Sequence, residues 1–454
     1  MIKLSRIKVA VLMLILLLSL TGCGKTADGK THLTFQIWDV YQRPGMQAMC
    51  DAYTAQHPDV EIEVQATSWS EYWTKLEASA ESNTMPDIFW MHTNQLLYYA
   101  DFGMLADVTD LYDDVESDYY EKHFSEISRR NASGSDGHLY GVPKDKDNGL
   151  LVYNKEMFDA AGVSYPTEEW TWEDLADASQ KIYDKTGKYG FMAYNDDQLG
   201  YWCFVYQAGG HILTADRTQA GYTNPGSVKG MEFYVNMQKE DWCPDQTYFT
   251  ETAPGTAFFS EAGAMYLEGN WNLPQLMENY PEMRGKWDLA KLPKCADPIE
   301  DSESLDQDGR ATMSNGLCYS TSARGKNREA ALDVIKFFGT EEAQRIQGEN
   351  GAAIPAYIGC EETWRAAFDS YDEKLDLDVI FDQFDYAVQA VYNSASPKWK
   401  SQVIDELTRI YSGNQDLMAV LVTRLDHLVC LCNLLPHRLQ HRIPLYQFFQ
   451  IFFQ

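Results

Sequence analysis

Apolar segments that alternate with amphipathic helical segments constrain this chain to a layered α/β fold. The first series contains the strand-like segments Leu33–Trp38, Val60–Gln65 and Asp87–Met91, with helical periodicity in Pro44–His57 and Trp69–Ser82. Period-two alternation predicts strands, and a short apolar segment is typical of a strand buried in a parallel sheet. Strands that alternate with helices predict an α/β unit.

A second series of the same kind begins after residue 149. Leu150–Tyr153 and Tyr189–Ala193 are predicted strands, and Lys155–Ala161 and Trp172–Thr186 are predicted helices. Thr171 precedes the longer helix and an acid follows it by three residues, which is a typical helix start. A chain of 454 residues is too long for one hydrophobic core, so the two series predict two lobes.

The N-terminus has the features of an export signal. Three basic residues precede the apolar run Val9–Leu20, which is too short to span a bilayer but fits a signal peptide. The run ends in Leu20-Thr21-Gly22-Cys23, which resembles a bacterial lipobox, and an ordinary signal peptide with a chance cysteine is the alternative. We predict that residues 1–22 are a signal peptide, that Cys23 is lipidated and that residues 23–31 form a tether. The protein would then be extracytoplasmic and anchored to the cell membrane.

The charge composition argues against two classes of partner. The chain has 37 basic and 67 acidic residues, a formal net charge of -30 and a pI of about 4.6. This acidic charge is spread along the chain and argues against nucleic acid or an anionic lipid surface as a partner. Export also permits disulfides between the cysteines, but spacing does not define their pairing, and isolated buried thiols are an equal alternative.

The last 34 residues, 421–454, differ in composition from the rest of the chain. They contain a single acid, Asp426, but three of the nine histidines and two of the nine cysteines. Candidates for a metal site in this segment are His427, His437, His441, Cys430 and Cys432. The favoured interpretation is a shifted reading frame near the end of the gene, which produces a tail that was not selected for folding.

Sequence motifs for catalysis are missing. The chain contains no G-x-S-x-G, H-E-x-x-H, G-x-x-x-x-G-K-[ST] or G-x-G-x-x-G motif. Asp145–Gly149 resembles part of a calcium-binding loop but lacks the later glutamate. We therefore predict no catalytic residue, no metal and no cofactor. Because an acidic chain offers many carboxylate pairs, a secreted glycoside hydrolase remains the alternative function.

Several stretches occur in an order and spacing that match one known family. They are Pro86–Trp90, Tyr140–Val163, Thr171–Leu175, Gly209–Gly210, Gly269–Trp271, Ser314–Gly316, Lys326–Gln344 and Gly351–Tyr357. Through them, about residues 32–420 resemble the extracellular solute-binding proteins of bacterial ABC sugar importers, the group that contains the maltose-binding protein. The tail 421–454 departs from the family's pattern.

The resemblance implies a two-lobed α/β fold of the type II periplasmic-binding-protein kind, with a ligand cleft between the lobes. Lobe 1 would contain residues 32–146 plus 317–358, and lobe 2 residues 149–314 plus 362–420. The implied protein is a monomeric, non-enzymatic carbohydrate-binding protein that serves an ABC transporter permease. A binding protein for a non-sugar solute, such as a polyamine or glycerol phosphate, is a further alternative.

Three crossing hinge segments would join these lobes. The charged loop Lys144–Asp147 would be the first crossing. One side of this loop would face the cleft, so the charged groups on that side are expected to meet the ligand rather than the core. Ser314–Gly316 and Tyr357–Glu361 would be the second and third crossings. Small residues at such positions can absorb the dihedral changes of lobe closure.

The chemistry of sugars defines the side chains expected in the cleft. Sugar hydroxyls need carboxylates and amides, and the slightly positive C–H faces suit the negative face of an aromatic ring. Trp38 also follows the first strand, at the end where α/β sheets bind ligands, and Asp147 aligns with a cleft carboxylate of the family. The predicted ligand-binding residues are Trp38, Asp39, Trp90, Asn94, Asp147, Gln198, Trp202, Asn270, Trp271, Asn315 and Trp399.

Overall fold

The computed structural model describes residues 29–299, 308–371, 375–413 and 415–421. The strands are β1 Thr31–Ile37, β2 Val60–Ala66, β3 Ile88–His92, β4 Val142–Pro143, β5 Gly149–Asn154, β6 Tyr189–Phe191, β7 Gly263–Gly269, β8 Trp287–Ala290, β9 Thr312–Ser314, β10 Leu317–Ser320 and β11 Ala387–Gln389. The α-helices are α1 Arg43–Gln56, α2 Trp69–Ser82, α3 Thr93–Asp101, α4 Tyr119–His123, α5 Glu126–Asn131, α6 Lys155–Ala161, α7 Trp172–Thr186, α8 Trp202–Gln207, α9 Pro225–Asn236, α10 Gln246–Glu251, α11 Pro254–Phe259, α12 Leu273–Asn279, α13 Arg328–Phe338, α14 Glu341–Glu349, α15 Glu361–Ala367, α16 Asp378–Gln383, α17 Ser396–Tyr411 and α18 Leu417–Val420.

The two main sheets are separate, and each forms the centre of one lobe. Lobe 1 has a five-stranded sheet in the order β2-β1-β3-β10-β4, in which β1 is parallel to β2 and β3, and β10 is antiparallel to β3 and β4. Lobe 2 has a four-stranded sheet in the order β6-β7-β5-β8. Strands β9 and β11 form a small parallel pair. Because β10 returns to the first sheet after the second has formed, the chain crosses between the lobes repeatedly. The predicted two-lobed α/β fold is confirmed.

The sheet of lobe 1 explains the different hydrophobic patterns of its strands. Edge strand β2 alternates, with its valines and isoleucine buried and its glutamates exposed. Central strand β3 is buried at every residue, since it lies between two neighbours within the sheet. Continuous apolar sequence therefore corresponds to a central strand, as expected when both faces are covered.

Strand β5 carries the core of lobe 2 on both of its faces. Leu151 and Tyr153 belong to one buried cluster, whereas Leu150 and Val152 belong to another. Successive side chains of a strand point to opposite faces, so both faces of this sheet are covered.

Helices with a strong local signal have the predicted bounds. Helix α7 begins with a capping box in which the Thr171 and Asp174 side chains accept from each other's backbone N–H groups. Helix α8 has a different start, since a π-helical turn occupies Asp197–Tyr201 directly before it. Leu199 and Gly200 have non-helical backbone dihedrals, which separate this turn from regular helix.

The predicted signal peptide, the lipidated Cys23 and residues 24–28 of the tether lie outside the described residues. Leu421, the first residue of the predicted tail, is fully buried in the core cluster of lobe 2. The rest of the tail, with its histidines and cysteines, also lies outside the described residues. None of the helices that the structure describes is both long and apolar enough to cross a membrane.

The six cysteines within the described residues are all buried and free: Cys50, Cys203, Cys243, Cys295, Cys318 and Cys360. Of the two alternatives that the sequence left open, the structure thus has isolated buried thiols. In the same part of the chain, no group of three or more His, Cys, Asp or Glu side chains is placed to hold a metal ion.

Candidate ligand-binding site

A cavity of about 420 Å³ lies between the two lobes. Its lining residues from lobe 1 are Trp38, Asp39, Val40, Tyr41, Gln42, Trp69 and His92. Those from lobe 2 are Gln198, Trp271, Asn272 and Gln275, and the crossing segments contribute Asp145, Asp147 and Leu317. The volume is within the range of about 300–1,000 Å³ that is typical of small-molecule sites.

Lobe 1 lines the cavity with an aromatic wall. Trp38 and Trp69 contact each other edge to face, with ring centroids 5.0 Å apart. Trp69 contacts His92 in the same manner at 5.5 Å. Burial, and secondarily the charge of Lys400, lowers the pKa of His92 to about 3, so its ring is neutral at physiological pH. The wall thus offers uncharged ring surfaces, which suit the C–H faces of a ligand.

Lobe 2 provides Trp271 from the turn that follows β7. The backbone of Gly269 lies directly against this indole, and a Cβ at position 269 would be 2.3 Å from the ring. Only glycine permits this close approach. Asn272, also in the lining, donates to the carboxylate of Glu268 at 2.8 Å. Glu268 lies in β7 and orients Asn272 through this hydrogen bond. Burial raises the pKa of the Glu268 carboxyl.

A chain of buried polar contacts connects the cavity wall to the core of lobe 1. Asp39 accepts from the Gln42 amide at 3.0 Å, and Gln42 accepts from the Lys144 ammonium at 2.9 Å. Lys144 is completely buried, pairs with Asp145 at 2.7 Å and lies 4.4 Å from the Trp90 ring centroid. The position of Asp39 at the cavity therefore depends on a cation that no ligand can reach.

The charged loop Lys144–Asp147 holds the crossing segments together, since all four of its charged side chains have partners within the protein. Asp145 accepts from the backbone N–H of Leu317 at 2.7 Å, and Asp147 accepts from that of Asn315 at 2.7 Å. The Lys146 ammonium pairs with Glu361 of the third crossing. Asp145 and Asp147 reach the cavity but are only 5% and 7% exposed. The loop carries both signs of charge because its aspartates accept from backbone N–H groups, whereas its lysines pair with carboxylates.

Asp147 has an unusual protonation equilibrium. Burial and then the neighbouring Asp145 raise its pKa to about 7, against the lowering effect of hydrogen bonds from Asn315, Gly316 and Ser314. The folded protein therefore binds a proton at this carboxyl at pH values where the unfolded chain has lost it. Folding stability from this group is present at low pH and is lost as the pH rises through about 7.

The variant Asp147→Asn is expected to flatten this pH dependence, because the amide oxygen still accepts from Asn315 but does not titrate. Between pH 8 and pH 6 the free energy of unfolding of the wild type should rise by roughly 1 kcal/mol more than that of the variant. Urea unfolding at several pH values measures this difference. Burial and Asp197 also raise the pKa of Asp196 to about 7, but this carboxyl is common to both proteins and cancels. Equal pH slopes in the two proteins would contradict the prediction.

Five predicted ligand-binding residues are brought together at the cavity: Trp38, Asp39, Asp147, Gln198 and Trp271. The other six are absent from its lining: Trp90, Asn94, Trp202, Asn270, Asn315 and Trp399. Two features of the structure account for the placement of these six residues.

The first reason is core packing of aromatic rings. Trp90, Trp202 and Trp399 are each 0% exposed. Trp90 lies within the central strand β3, so its ring packs beneath Trp38 at a centroid distance of 5.0 Å. Trp202 packs against Tyr392, and the Trp399 indole N–H donates to Asn393 at 3.1 Å.

The second reason is that the Asn270 and Asn315 amides accept hydrogen bonds from other groups of the protein. Asn270 accepts from the Asn148 N–H at 3.4 Å, and the Asn315 side chain accepts from the Tyr392 hydroxyl at 2.8 Å. Asn94 lies in the first turn of α3, where its backbone N–H donates to His92. These three residues therefore contact other parts of the protein and do not line the cavity.

Sequence reasoning missed several lining residues, of which Trp69 and His92 contribute most ring surface. His92 is the last residue of β3, and Trp69 opens the helix after β2. Both occupy the carboxyl ends of parallel strands, where α/β sheets bind ligands. Applied to every strand rather than to β1 alone, this rule would have identified them.

A hydrogen bond of the lining residue Tyr41 joins the two lobes. The Tyr41 hydroxyl of lobe 1 and the Asn279 amide of lobe 2 are hydrogen-bonded, with an Asn279 Nδ2 to Tyr41 Oη distance of 3.0 Å. The site thus combines flat rings from both lobes with carboxylate and amide groups. Such an arrangement suits a neutral ligand that presents both C–H faces and hydroxyl groups.

Comparisons with known proteins agree with this geometry. The model of the family described as bacterial extracellular solute-binding protein matches residues 48–368. The galactooligosaccharide-binding protein of Bacillus subtilis (strain 168) is 23% identical over 354 residues, which cover 75% of this chain and 77% of the relative.

Solved structures share the fold. An ABC substrate-binding protein from Listeria monocytogenes in complex with cycloalternan has a TM-score of 0.76 at 23% identity, over 88% of this chain and 98% of that chain. The cyclic alpha-maltosyl-1,6-maltose binding protein from Arthrobacter globiformis has a TM-score of 0.71 at 23% identity, over 89% and 99% of the two chains. Since the family model matches most of the sequence, the chain belongs to the bacterial extracellular solute-binding proteins.

Proposed function

We propose that this protein is a lipid-anchored carbohydrate-binding protein that captures a sugar or oligosaccharide outside the cell and delivers it to an ABC transporter permease. The observation that carries this proposal is the cavity between the lobes, which has tryptophan rings on both sides and carboxylate and amide groups between them. The names of the relatives that bind galactooligosaccharide, cycloalternan and cyclic maltosyl-maltose support an oligosaccharide as the ligand class.

In this proposal the rings of Trp38, Trp69 and Trp271 stack on sugar C–H faces. Asp39 and Gln198 accept or donate hydrogen bonds to hydroxyl groups at opposite sides of the cavity. Lobe 1 comprises residues 32–146 plus 317–358, and lobe 2 residues 149–314 plus 362–420. The protein acts as a monomer without a cofactor and catalyses no reaction.

A ligand panel tests the proposal directly. Purified protein is incubated with mono- and oligosaccharides and, in a separate arm, with polyamines and glycerol phosphate, and melting temperatures are recorded. A saturable rise in melting temperature with at least one sugar is expected, because a ligand that binds only the folded protein stabilises it. Stabilisation by a polyamine or glycerol phosphate alone would overturn the sugar proposal. New reducing ends in the sugar samples would show a glycoside hydrolase instead.

Anchoring through Cys23 makes a separate prediction. The variant Cys23→Ser cannot carry the acyl chains, because the serine hydroxyl does not replace the thiol in this modification. The protein should move from the membrane fraction to the medium or remain unprocessed, as fractionation and immunoblotting would show. Cys50→Ser is the matched control, since Cys50 is a buried thiol within lobe 1. Mature Cys23→Ser protein that stays in the membrane fraction would contradict the lipid anchor.

A further inference from the structure

A second cavity of about 510 Å³ shares no lining residue with the candidate ligand-binding site. Arg130 from helix α5 lines it on the side of lobe 1, and Arg217 and Tyr206 line it on the side of lobe 2. The cavity therefore lies where the two lobes meet. Neither the family relationship nor the proposed function gives it a role.

Arg217 is a partly buried cation of the cavity lining. Its backbone adopts a left-handed conformation with φ of 62°, which is uncommon for a residue with a Cβ atom. Within the described part of the chain, no carboxylate lies within ion-pair distance of its guanidinium group. Burial and then the charge of Arg130 lower the pKa of Arg217, against the smaller raising effect of Asp101, so the two cations oppose each other across the lobe boundary.

Arg130 has a weak intramolecular partner. Its guanidinium lies 3.8 Å from Glu126, one helical turn earlier, and the side chain is 57% exposed. An exposed pair of this kind contributes little stability and leaves the guanidinium available to another anion.

The remaining polar groups of the cavity are mostly donors. The Tyr206 side chain is only 4% exposed, and its buried hydroxyl has no hydrogen-bond partner among the described residues. The backbone N–H groups of Ile212 and Val391 lie near the same oxygen without hydrogen-bond geometry, and they are donors as well. Buried polar groups are almost always satisfied, so an unpartnered phenol indicates a missing acceptor. Among the described residues of the lining, Asp385 is the single carboxylate, and it is exposed to solvent, where its charge is screened.

We propose that this cavity binds a small anion with carboxylate or phosphate oxygens, held between Arg130 and Arg217, with the Tyr206 hydroxyl as a further donor. Guanidinium groups are suited to both oxyanions because their N–H groups form a planar fork. Since one arginine comes from each lobe, the bound anion offsets their repulsion and stabilises this arrangement of the lobes.

Calorimetric titration with inorganic phosphate, and in a second arm with succinate, tests the proposal at constant ionic strength set by chloride. We expect saturable binding of at least one of the two anions. The anion with the higher affinity shows whether the cavity prefers phosphate or carboxylate oxygens. Arg217→Asn and Arg130→Gln should each weaken binding roughly tenfold or more, since each removes a charged hydrogen-bond donor. Asparagine is chosen at position 217 because it tolerates positive φ.

Arg129→Gln is the matched control, because the Arg129 guanidinium contacts Glu121 and the Phe124 carbonyl instead of the cavity. Its affinity for the anion should equal that of the wild type. Absence of saturable binding to both anions would overturn the proposal. So would equal affinities in all four proteins, which would indicate general ion binding at the surface.

Discussion

Removal of the Asp145 carboxylate is expected to lower the free energy of unfolding by about 3–5 kcal/mol, the loss typical of breaking a buried ion pair. In Asp145→Ala the ammonium of Lys144, which is completely buried, retains the Gln42 amide and the Trp90 ring as its only partners among the described residues. The substitution also removes the acceptor of the Leu317 backbone N–H. A cation without a counter-ion in the core is the main cause of the expected loss.

Urea unfolding of the wild type and three variants measures this effect. Glu71→Ala is the control for an ion pair in solvent, since Glu71 and Lys75 are more than half exposed, and it should cost less than about 1 kcal/mol. The double variant Lys144→Met, Asp145→Asn removes both charges and should recover much of the stability lost in Asp145→Ala. If Asp145→Ala is no less stable than Glu71→Ala, the buried pair does not stabilise the crossing.

The charged loop also shows where sequence reasoning reached its limit. The sequence predicted Lys144–Asp147 as a crossing segment, and Asp145 and Asp147 of this loop line the cavity. The partners of its charges are Gln42, Leu317 and Glu361, which come from three distant parts of the chain. Alternation within the loop contains no information about these partners, so the sequence alone did not identify them.

Local signals were sufficient where an element determines its own bounds. Helix α7 has a capping box at its start and a glycine in the left-handed conformation at its end, and both are visible in the sequence. Strand β5 was recognised from its continuous apolar sequence. Strand β7 was missed because Gly263, Glu268 and Gly269 shorten its apolar run, and it has no period-two alternation.

The tryptophans show why a residue type alone does not define a site. Trp38 and Trp90 are both associated with strands of the same sheet, but Trp38 follows the last residue of β1 and Trp90 lies inside β3. Ligands reach the ends of parallel strands, whereas side chains within a central strand are covered by helices. Position relative to the strand end therefore separates a lining residue from a core residue.

Loss of the Trp271 ring is expected to weaken binding of the sugar identified in the panel by roughly 30-fold or more, which corresponds to about 2 kcal/mol for a buried aromatic contact. Trp271→Ala removes the ring, and Trp271→Phe, which keeps a smaller flat surface, should lose less. The more specific variant is Gly269→Ala, because the added methyl group would lie 2.3 Å from the unchanged indole and must displace it. Its affinity should fall nearly as far as that of Trp271→Ala.

Gly255→Ala is the matched control for this glycine substitution. A Cβ at position 255 would be 3.5 Å from the nearest heavy atom, the Tyr266 hydroxyl oxygen, which is ordinary van der Waals contact. Calorimetry should give this control the affinity of the wild type, and melting temperatures should show all variants folded. Because Gly269 does not line the cavity, weaker binding in Gly269→Ala has to act through the position of the ring. Wild-type affinity in both Gly269→Ala and Trp271→Ala would mean that the ligand does not stack on this tryptophan.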